Sequence, residues 1–241
     1  MNKILCENYD EMSRIASDIV IKEIAKNPKC VLGLPTGSSP IGMYENLVRA
    51  HKKGLIDFSY VKTFNLDEYY KIDKNNPNSY YHFMHEKLFN HINISPANIN
   101  IPDGSADNPE EECKMYDKKL FEAGGIDLQI LGLGCNGHIG FNEPDSELNC
   151  YTHIAELSEK TIIANSRFFP STNDVPKYAI TMGMGNILKA RKILLLASGS
   201  DKAYVIKKLF SGKISTIVPV TFLNLHRDVT VLIDQEHINT I

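Results

Sequence analysis

The chain has 241 residues and a formal net charge of −3, with acids and bases interspersed. A chain of this length buries one substantial core, which predicts a single domain over residues 1–241; the near-neutral charge leaves no footprint for nucleic acid or an anionic membrane surface, so the expected partner is a small molecule. No apolar run approaches the ~20 residues that cross a bilayer, and no hydrophobic leader precedes the first acid, Glu7, which predicts a cytoplasmic protein.

From Glu11 to Lys26, Met12, Ile15, Ala16, Ile19 and Ile24 recur at helical spacing, with Asp10 as the predicted cap and Pro28 beyond the end. A buried strand is expected from Cys30 to Leu34. It feeds Gly33-Leu34-Pro35-Thr36-Gly37-Ser38-Ser39-Pro40, followed by a helical pattern from Ile41 to His51. Gly37 permits close backbone approach to a ligand, Thr36, Ser38 and Ser39 offer hydroxyl donors, and Pro40 suits a first helical turn whose free N–H groups attract anions. The segment reads as a phosphate cradle or as a solvated strand-to-helix turn. It is neither a Walker loop nor a dinucleotide fingerprint, because no Gly-Lys-Ser/Thr and no Gly-x-Gly-x-x-Gly occurs in it.

The next strand, Val61 to Asn65, runs on into Leu66-Asp67-Glu68-Tyr69-Tyr70. Consecutive acids on a strand point to opposite faces, so only one of Asp67 and Glu68 can be a base for a given site. The alternative for the pair is a helix cap or surface charge. Helices are expected around Ser79 to Asn90 and from Pro109 to Ala123, with Tyr80, Tyr81, Phe83 and Phe89 as packing residues and His82, His85 and His91 solvated or locally satisfied.

The run Ile126 to Leu131 is apolar and bounded by glycines, so it reads as a buried strand. Its carboxyl end delivers Leu133-Gly134-Cys135-Asn136-Gly137-His138-Ile139-Gly140-Phe141-Asn142-Glu143-Pro144, a Gly-rich loop carrying a His and a Glu where open parallel sheets bind ligands. There is no His-Glu-x-x-His and no second imidazole at ligand spacing, and the five cysteines form no Cys-x-x-Cys pair, so neither a metal nor a disulfide framework is expected. Cys135 reads as a loop or packing residue, the narrower alternative being a nucleophile. Between about 151 and 177, Pro170, Ser171, Thr172, Asn173 and Pro176 interrupt any period, which suggests a mobile lid. Strands from Arg191 to Ala197 and Val229 to Asp234 enclose a helix from Lys202 to Phe210. The layout is α/β: a Rossmann-like, mostly parallel sheet with helices on both faces.

The cradle, Asn65-Leu66-Asp67-Glu68-Tyr69 and Gly137-His138-Ile139-Gly140-Phe141-Asn142-Glu143-Pro144 together resemble the glucosamine-6-phosphate deaminase (isomerase) family. So do Ala164-Asn165-Ser166-Arg167-Phe168-Phe169, Val175-Pro176-Lys177-Tyr178-Ala179-Ile180-Thr181 and Ser198-Gly199-Ser200-Asp201-Lys202-Ala203, which extends the likeness over nearly the whole chain. The resemblance implies conversion of glucosamine 6-phosphate and water to fructose 6-phosphate and ammonium, in amino-sugar catabolism, with no cofactor and no metal. It implies that His138, held or tuned by Glu143, opens the sugar ring, and that Asp67 takes the C2 proton. Thr36, Gly37 and Ser38 would meet the phosphate as neutral donors, with Arg167 and Lys202 supplying charge.

Asn136 stands where many members carry Asp; its amide can orient the imidazole through a hydrogen bond without adding charge. Where longer, allosteric members place cations, the resemblance puts His153 and Ala155, which implies no activation by N-acetylglucosamine 6-phosphate. The oligomeric state stays open between a monomer and a small homo-oligomer. Two competing functions share the sequence features in part. A 6-phosphogluconolactonase-like hydrolase would need no carbon base and is not expected to carry Phe141-Asn142-Glu143-Pro144, and a non-catalytic sugar-phosphate sensing module would need a DNA-reading domain for which the chain has no room.

Overall fold

The computed structural model describes residues 1–166 and 169–236. Its strands are β1 (Asn2–Cys6), β2 (Val31–Leu34), β3 (Lys62–Asn65), β4 (Asp67–Tyr69), β5 (Ile99–Asn100), β6 (Leu128–Gly132), β7 (His153–Glu156), β8 (Tyr178–Thr181), β9 (Lys192–Ala197) and β10 (Val229–Asp234). The helices are α1 (Tyr9–Lys26), α2 (Ile41–Lys52), α3 (Tyr80–Lys87), α4 (Pro109–Glu122), α5 (Glu159–Asn165), α6 (Met184–Leu188) and α7 (Ala203–Leu209). No described helix is long and apolar enough to cross a membrane.

Seven strands form one sheet in the order β1-β10-β9-β6-β2-β3-β5, and every neighbouring pair is parallel. Both faces of this sheet are covered, which is why its central strands read as unbroken apolar runs. Successive side chains serve opposite cores. Leu32, Ile130, Leu194, Leu196 and Leu232 pack with Met12, Ala16 and Val20 of α1 and Met43, Tyr44 and Leu47 of α2. Val31, Leu131, Ile193, Leu195, Val231 and Ile233 face Tyr116 and Leu120 of α4, Ile187 of α6 and Val205, Ile206 and Leu209 of α7.

The strand order turns at β2 and β6. From β2 the chain builds outward through β3 to β5; from β6 it builds the other way through β9 to β10. The loops that follow β2 and β6 therefore leave in opposite directions and open a crevice at the carboxyl ends of the strands, where open α/β sheets take ligands.

Four local features depart from the sequence reading. Asn8 caps α1 in place of Asp10: its side chain accepts the Glu11 N–H at 2.9 Å, and Asp10 is already inside the first turn. Residues Asn2–Cys6 form an edge strand pairing with β10, a strand whose Asn2, Lys3 and exposed Leu5 hid it from an apolar-run criterion. The run from Val61 does not continue as one strand. Leu66 N–H still donates to Leu34 O at 3.3 Å, but Asp67–Tyr69 leave to pair with β8 in a separate antiparallel sheet of order β4-β8-β7. Residues 151–177, expected to lack any period, contain β7 and α5; Ser158 caps α5 by accepting the Thr161 N–H at 3.2 Å.

Candidate active site

The loop after β2 is shaped from outside. Tyr9, the first residue of α1, donates its hydroxyl to Ser38 O at 2.9 Å and accepts the Gly42 N–H at 2.9 Å, so α1 clamps the segment from Ser38 to the start of α2. Gly37 takes a positive φ of 90°, a conformation glycine adopts without steric cost. Thr36 is partly buried and interacts with the Tyr80 hydroxyl, while Ser38 is exposed to the crevice side. A cavity of about 390 Å³ is lined by Tyr9, Ser38, Ser39, Ile41 and Ser198, which brings the loop after β9 against the cradle. Lys202 lies in that loop, only 15% exposed at its side chain, with Nζ 2.8 Å from Asp201 Oδ2. Hydroxyl groups of Ser38, Ser39 and Ser198 and the start of α2 at Ile41 thus border one space, which suits a phosphate.

The loop after β6 folds back on itself. Gly134 N–H donates to His138 O at 3.1 Å and Gly137 N–H to Gly134 O at 3.0 Å, with Gly137 at φ 90°. The His138 ring lies across the Gly134 backbone, and a Cβ on Gly134 would sit 2.2 Å from its Cδ2. Glycine at 134 is therefore a packing requirement of the imidazole. Asn136 has two tasks here: its Oδ1 accepts the His138 N–H at 3.1 Å, and its Nδ2 donates to Glu143 Oε2 at 2.6 Å. An aspartate at 136 could not make the second bond.

His138 Nδ1 lies 3.3 Å from Glu143 Oε1, in ion-pair reach, although the ring does not aim a well-aligned hydrogen bond at it. Thr161 of α5 donates its hydroxyl to the same Oε1. Burial alone would raise the Glu143 carboxyl. The imidazole and the Thr161 and Asn136 donors outweigh it and hold the group below the usual glutamate range.

Asp67 and Glu68 divide as alternation on a strand requires. Glu68 is turned inward and accepts backbone N–H bonds from Tyr69, Tyr80 and Tyr81 at 2.8–2.9 Å, so it holds the start of α3. Glu68 supplements Ser79, the N-cap residue of α3, whose side chain accepts the His82 N–H at 3.0 Å; Glu68 is itself in β4 and not an N-cap. Asp67 faces the loop after β6. A Cβ on Gly140 would stand 3.3 Å from Asp67 Oδ2 and 2.9 Å from Thr181 Oγ1, and Thr181 accepts the Phe141 N–H at 3.1 Å. Burial, and then the neighbouring Glu68 charge, push the Asp67 carboxyl up to about 8.

Asp67 thus reaches the turn that carries Asn136, His138 and Glu143, and of the residues expected at the phosphate Ser38 lines the cavity, Thr36 and Gly37 precede it in the same loop, and Lys202 lies four residues beyond the lining Ser198. Arg167 lies outside the described residues. The sequence reading missed Thr161, Thr181 and Tyr9, which act through long-range bonds that no local motif announces. The packing role expected of Tyr80 holds. Tyr80 stacks on Phe141 at 6.0 Å and 9° and joins Tyr69 and Phe169 in an aromatic wall beside the loop after β6. All five cysteines are free, and Cys135 is exposed on the loop.

The model of the glucosamine-6-phosphate isomerases and 6-phosphogluconolactonases matches residues 8–232. The chain is 55% identical over 236 residues to a glucosamine-6-phosphate deaminase of Thermoanaerobacter sp. strain X514, a match that covers 98% of this chain and 93% of that protein. It is 51% identical to a glucosamine-6-phosphate deaminase of Clostridium perfringens strain 13, with 98% of each covered. Among solved structures, a monomeric glucosamine-6-phosphate deaminase superposes with a TM-score of 0.96 at 45% identity, covering 98% of both chains. The 6-phosphogluconolactonase from Trypanosoma cruzi shares the fold, with a TM-score of 0.77 at 22% identity over 98% of this chain and 94% of that one. By sequence along almost its whole length and by fold, the chain belongs to the glucosamine-6-phosphate isomerase/6-phosphogluconolactonase family.

Proposed function

We propose that this chain is a glucosamine-6-phosphate deaminase, which converts glucosamine 6-phosphate and water to fructose 6-phosphate and ammonium. The observation that carries the reading is the shared turn. Asp67 Oδ2 approaches Gly140 from β4, two residues along from His138 with its Glu143 partner, which supports two separate proton-handling groups serving one turn. Hydrolysis of a lactone has no use for the second. An aldose-to-ketose conversion needs both, one for oxygen protons and one for a carbon acid.

In this reading His138 takes the proton from the anomeric hydroxyl and returns one to the ring oxygen, breaking the C1–O5 bond and leaving an open-chain aldehyde. Glu143 stabilises the charged imidazole between those two transfers. Asp67, ionised by the approach of the substrate's ammonium group, removes the C2 proton to give the enolamine. Protonation at C1 then yields a C2 imine, to which water adds as ammonia leaves. The proton count closes without an electron sink, because the substrate's own nitrogen activates C2. Thr36, Gly37 and Ser38, with Lys202 and Arg167, hold the phosphate. Residues 151–177 cover the sugar, and the 241 residues act as one catalytic unit. The monomeric relative of near-identical fold supports a monomer.

Ammonium release from glucosamine 6-phosphate, measured with formation of fructose 6-phosphate, tests the proposal. Stoichiometric appearance of both products is expected. Hydrolysis of 6-phosphogluconolactone with no ammonium from the amino sugar would overturn it.

A further inference from the structure

Glu143 is held by groups from two elements that are distant in sequence. From its own loop, Asn136 Nδ2 donates to Oε2 at 2.6 Å, and His138 Nδ1 lies 3.3 Å from Oε1. From α5, the Thr161 hydroxyl donates to that same Oε1. Thr161 is 5% exposed, and its hydroxyl direction is set by its neighbour: Ser158 Oγ donates to Thr161 Oγ1 at 3.1 Å, which leaves the threonine's own proton for the carboxylate. Further along α5, Asn165 Nδ2 donates to Tyr69 Oη at 2.8 Å, so the helix is docked on the site at two points.

We propose that Thr161 is a positioning residue for the reaction, fixing the Glu143 carboxylate opposite His138 Nδ1 from α5. The proposal rests on the deaminase reading of the site. A carboxylate with one oxygen on Asn136 and the other shared by Thr161 and His138 has no free rotation about its last bond. Without the threonine donor, Oε1 keeps a single off-axis contact and can turn away from the ring. Serving a charged acceptor inside a half-buried site, this bond is of the stronger, charge-assisted class. The ionisable group that faces Glu143 from its own loop is His138; on the first turn of α5 Glu159 and Lys160 are exposed, and from β4 Asp67 reaches the turn at Gly140.

The test compares Thr161→Val, which keeps the shape and removes the hydroxyl, with Thr161→Ser, which keeps the hydroxyl. Thr161→Val is expected to lower kcat roughly ten- to hundredfold with KM within about threefold of the parent, and Thr161→Ser to restore kcat to within about threefold. A second readout needs no turnover: the titration of the Glu143 carboxyl, followed by carbon NMR in the substrate-free protein, moves to higher pH in Thr161→Val and returns in Thr161→Ser, because a donor to the charged form has been removed and replaced. An unmoved titration in Thr161→Val overturns the proposal, and so does a kcat that stays at the parent value or falls without serine rescue. If the parent protein releases no ammonium, the deaminase reading fails, and the titration still decides the Thr161 contact.

Discussion

Asp67 combines a burial cost with a proposed chemical task, and the two separate cleanly by pH. A carboxyl raised from 3.8 to about 8 on folding binds a proton that the unfolded chain releases. Its burial therefore costs nothing below the unfolded value and costs progressively more as pH rises through the interval, levelling off above about 8. Asp67→Asn removes that cost. The variant is expected to abolish turnover and exchange of the C2 proton with solvent deuterium, while its melting temperature gains on the parent's between pH 4 and 8 and matches it near pH 4. Retained exchange at the parent rate would remove Asp67 as the base. The same shift predicts that kcat/KM climbs with pH through about 8 in the free enzyme, while the acid limb of kcat lies lower, because the bound ammonium favours the ionised carboxyl. Lys202→Ala belongs to the same scale. Losing a charge-assisted phosphate contact is expected to weaken binding of the sugar phosphate by about 1.5–3 kcal/mol and to leave unphosphorylated glucosamine unaffected. Equal losses for both ligands in a titration calorimeter would assign Lys202 to folding of the loop instead.

At the scale of elements, the loop after β6 works because glycines let it fold under its own histidine. Gly134→Ala places a methyl 2.2 Å from the imidazole Cδ2, and the ring, rather than the backbone strand behind it, is the part free to move. The variant is expected to fold, with a melting temperature within a few degrees of the parent, and to lose most turnover of the cyclic sugar. Activity within twofold of the parent would show that the ring need not lie where it does. The neighbouring sheet β4-β8-β7 is equally local in its purpose: it carries Asp67 away from β3 and presents Thr181 to the amide of Phe141, so Asp67 and the loop after β6 share one support.

At the scale of the whole molecule, the direction of chain build-up from β2 and from β6 makes the crevice, and the loops after β2, β6 and β9 all leave the parallel sheet at that carboxyl end. Regulation is expected to be absent. His153, in β7, has its imidazole pushed toward the neutral form by burial, against opposing contributions from the Tyr151 carbonyl and Asp117, and Ala155 carries only a methyl. Two neutral groups make a poor anion site. Initial rates are expected to follow a hyperbola with and without N-acetylglucosamine 6-phosphate; a sigmoid that the acetylated sugar converts to a hyperbola would refute this.

The parallel core and the two Gly-rich loops after β2 and β6 were legible along the chain, because each depends on neighbours a few residues away: apolar runs for strands buried on two faces, glycines for tight turns, and a His and Glu on one loop. Alternation also determined that Asp67 and Glu68 would part company. Tertiary structure alone decided which did what, since Glu68 is claimed by the amides of Tyr80 and Tyr81 and Asp67 by its approach to Gly140. It also decided the second sheet, the aromatic wall around Tyr69 and the Thr161 hydroxyl on Glu143, all of which join residues far apart in the chain. Such contacts leave no period or spacing to read, because their partners are chosen by the packing of whole elements and not by the residues beside them.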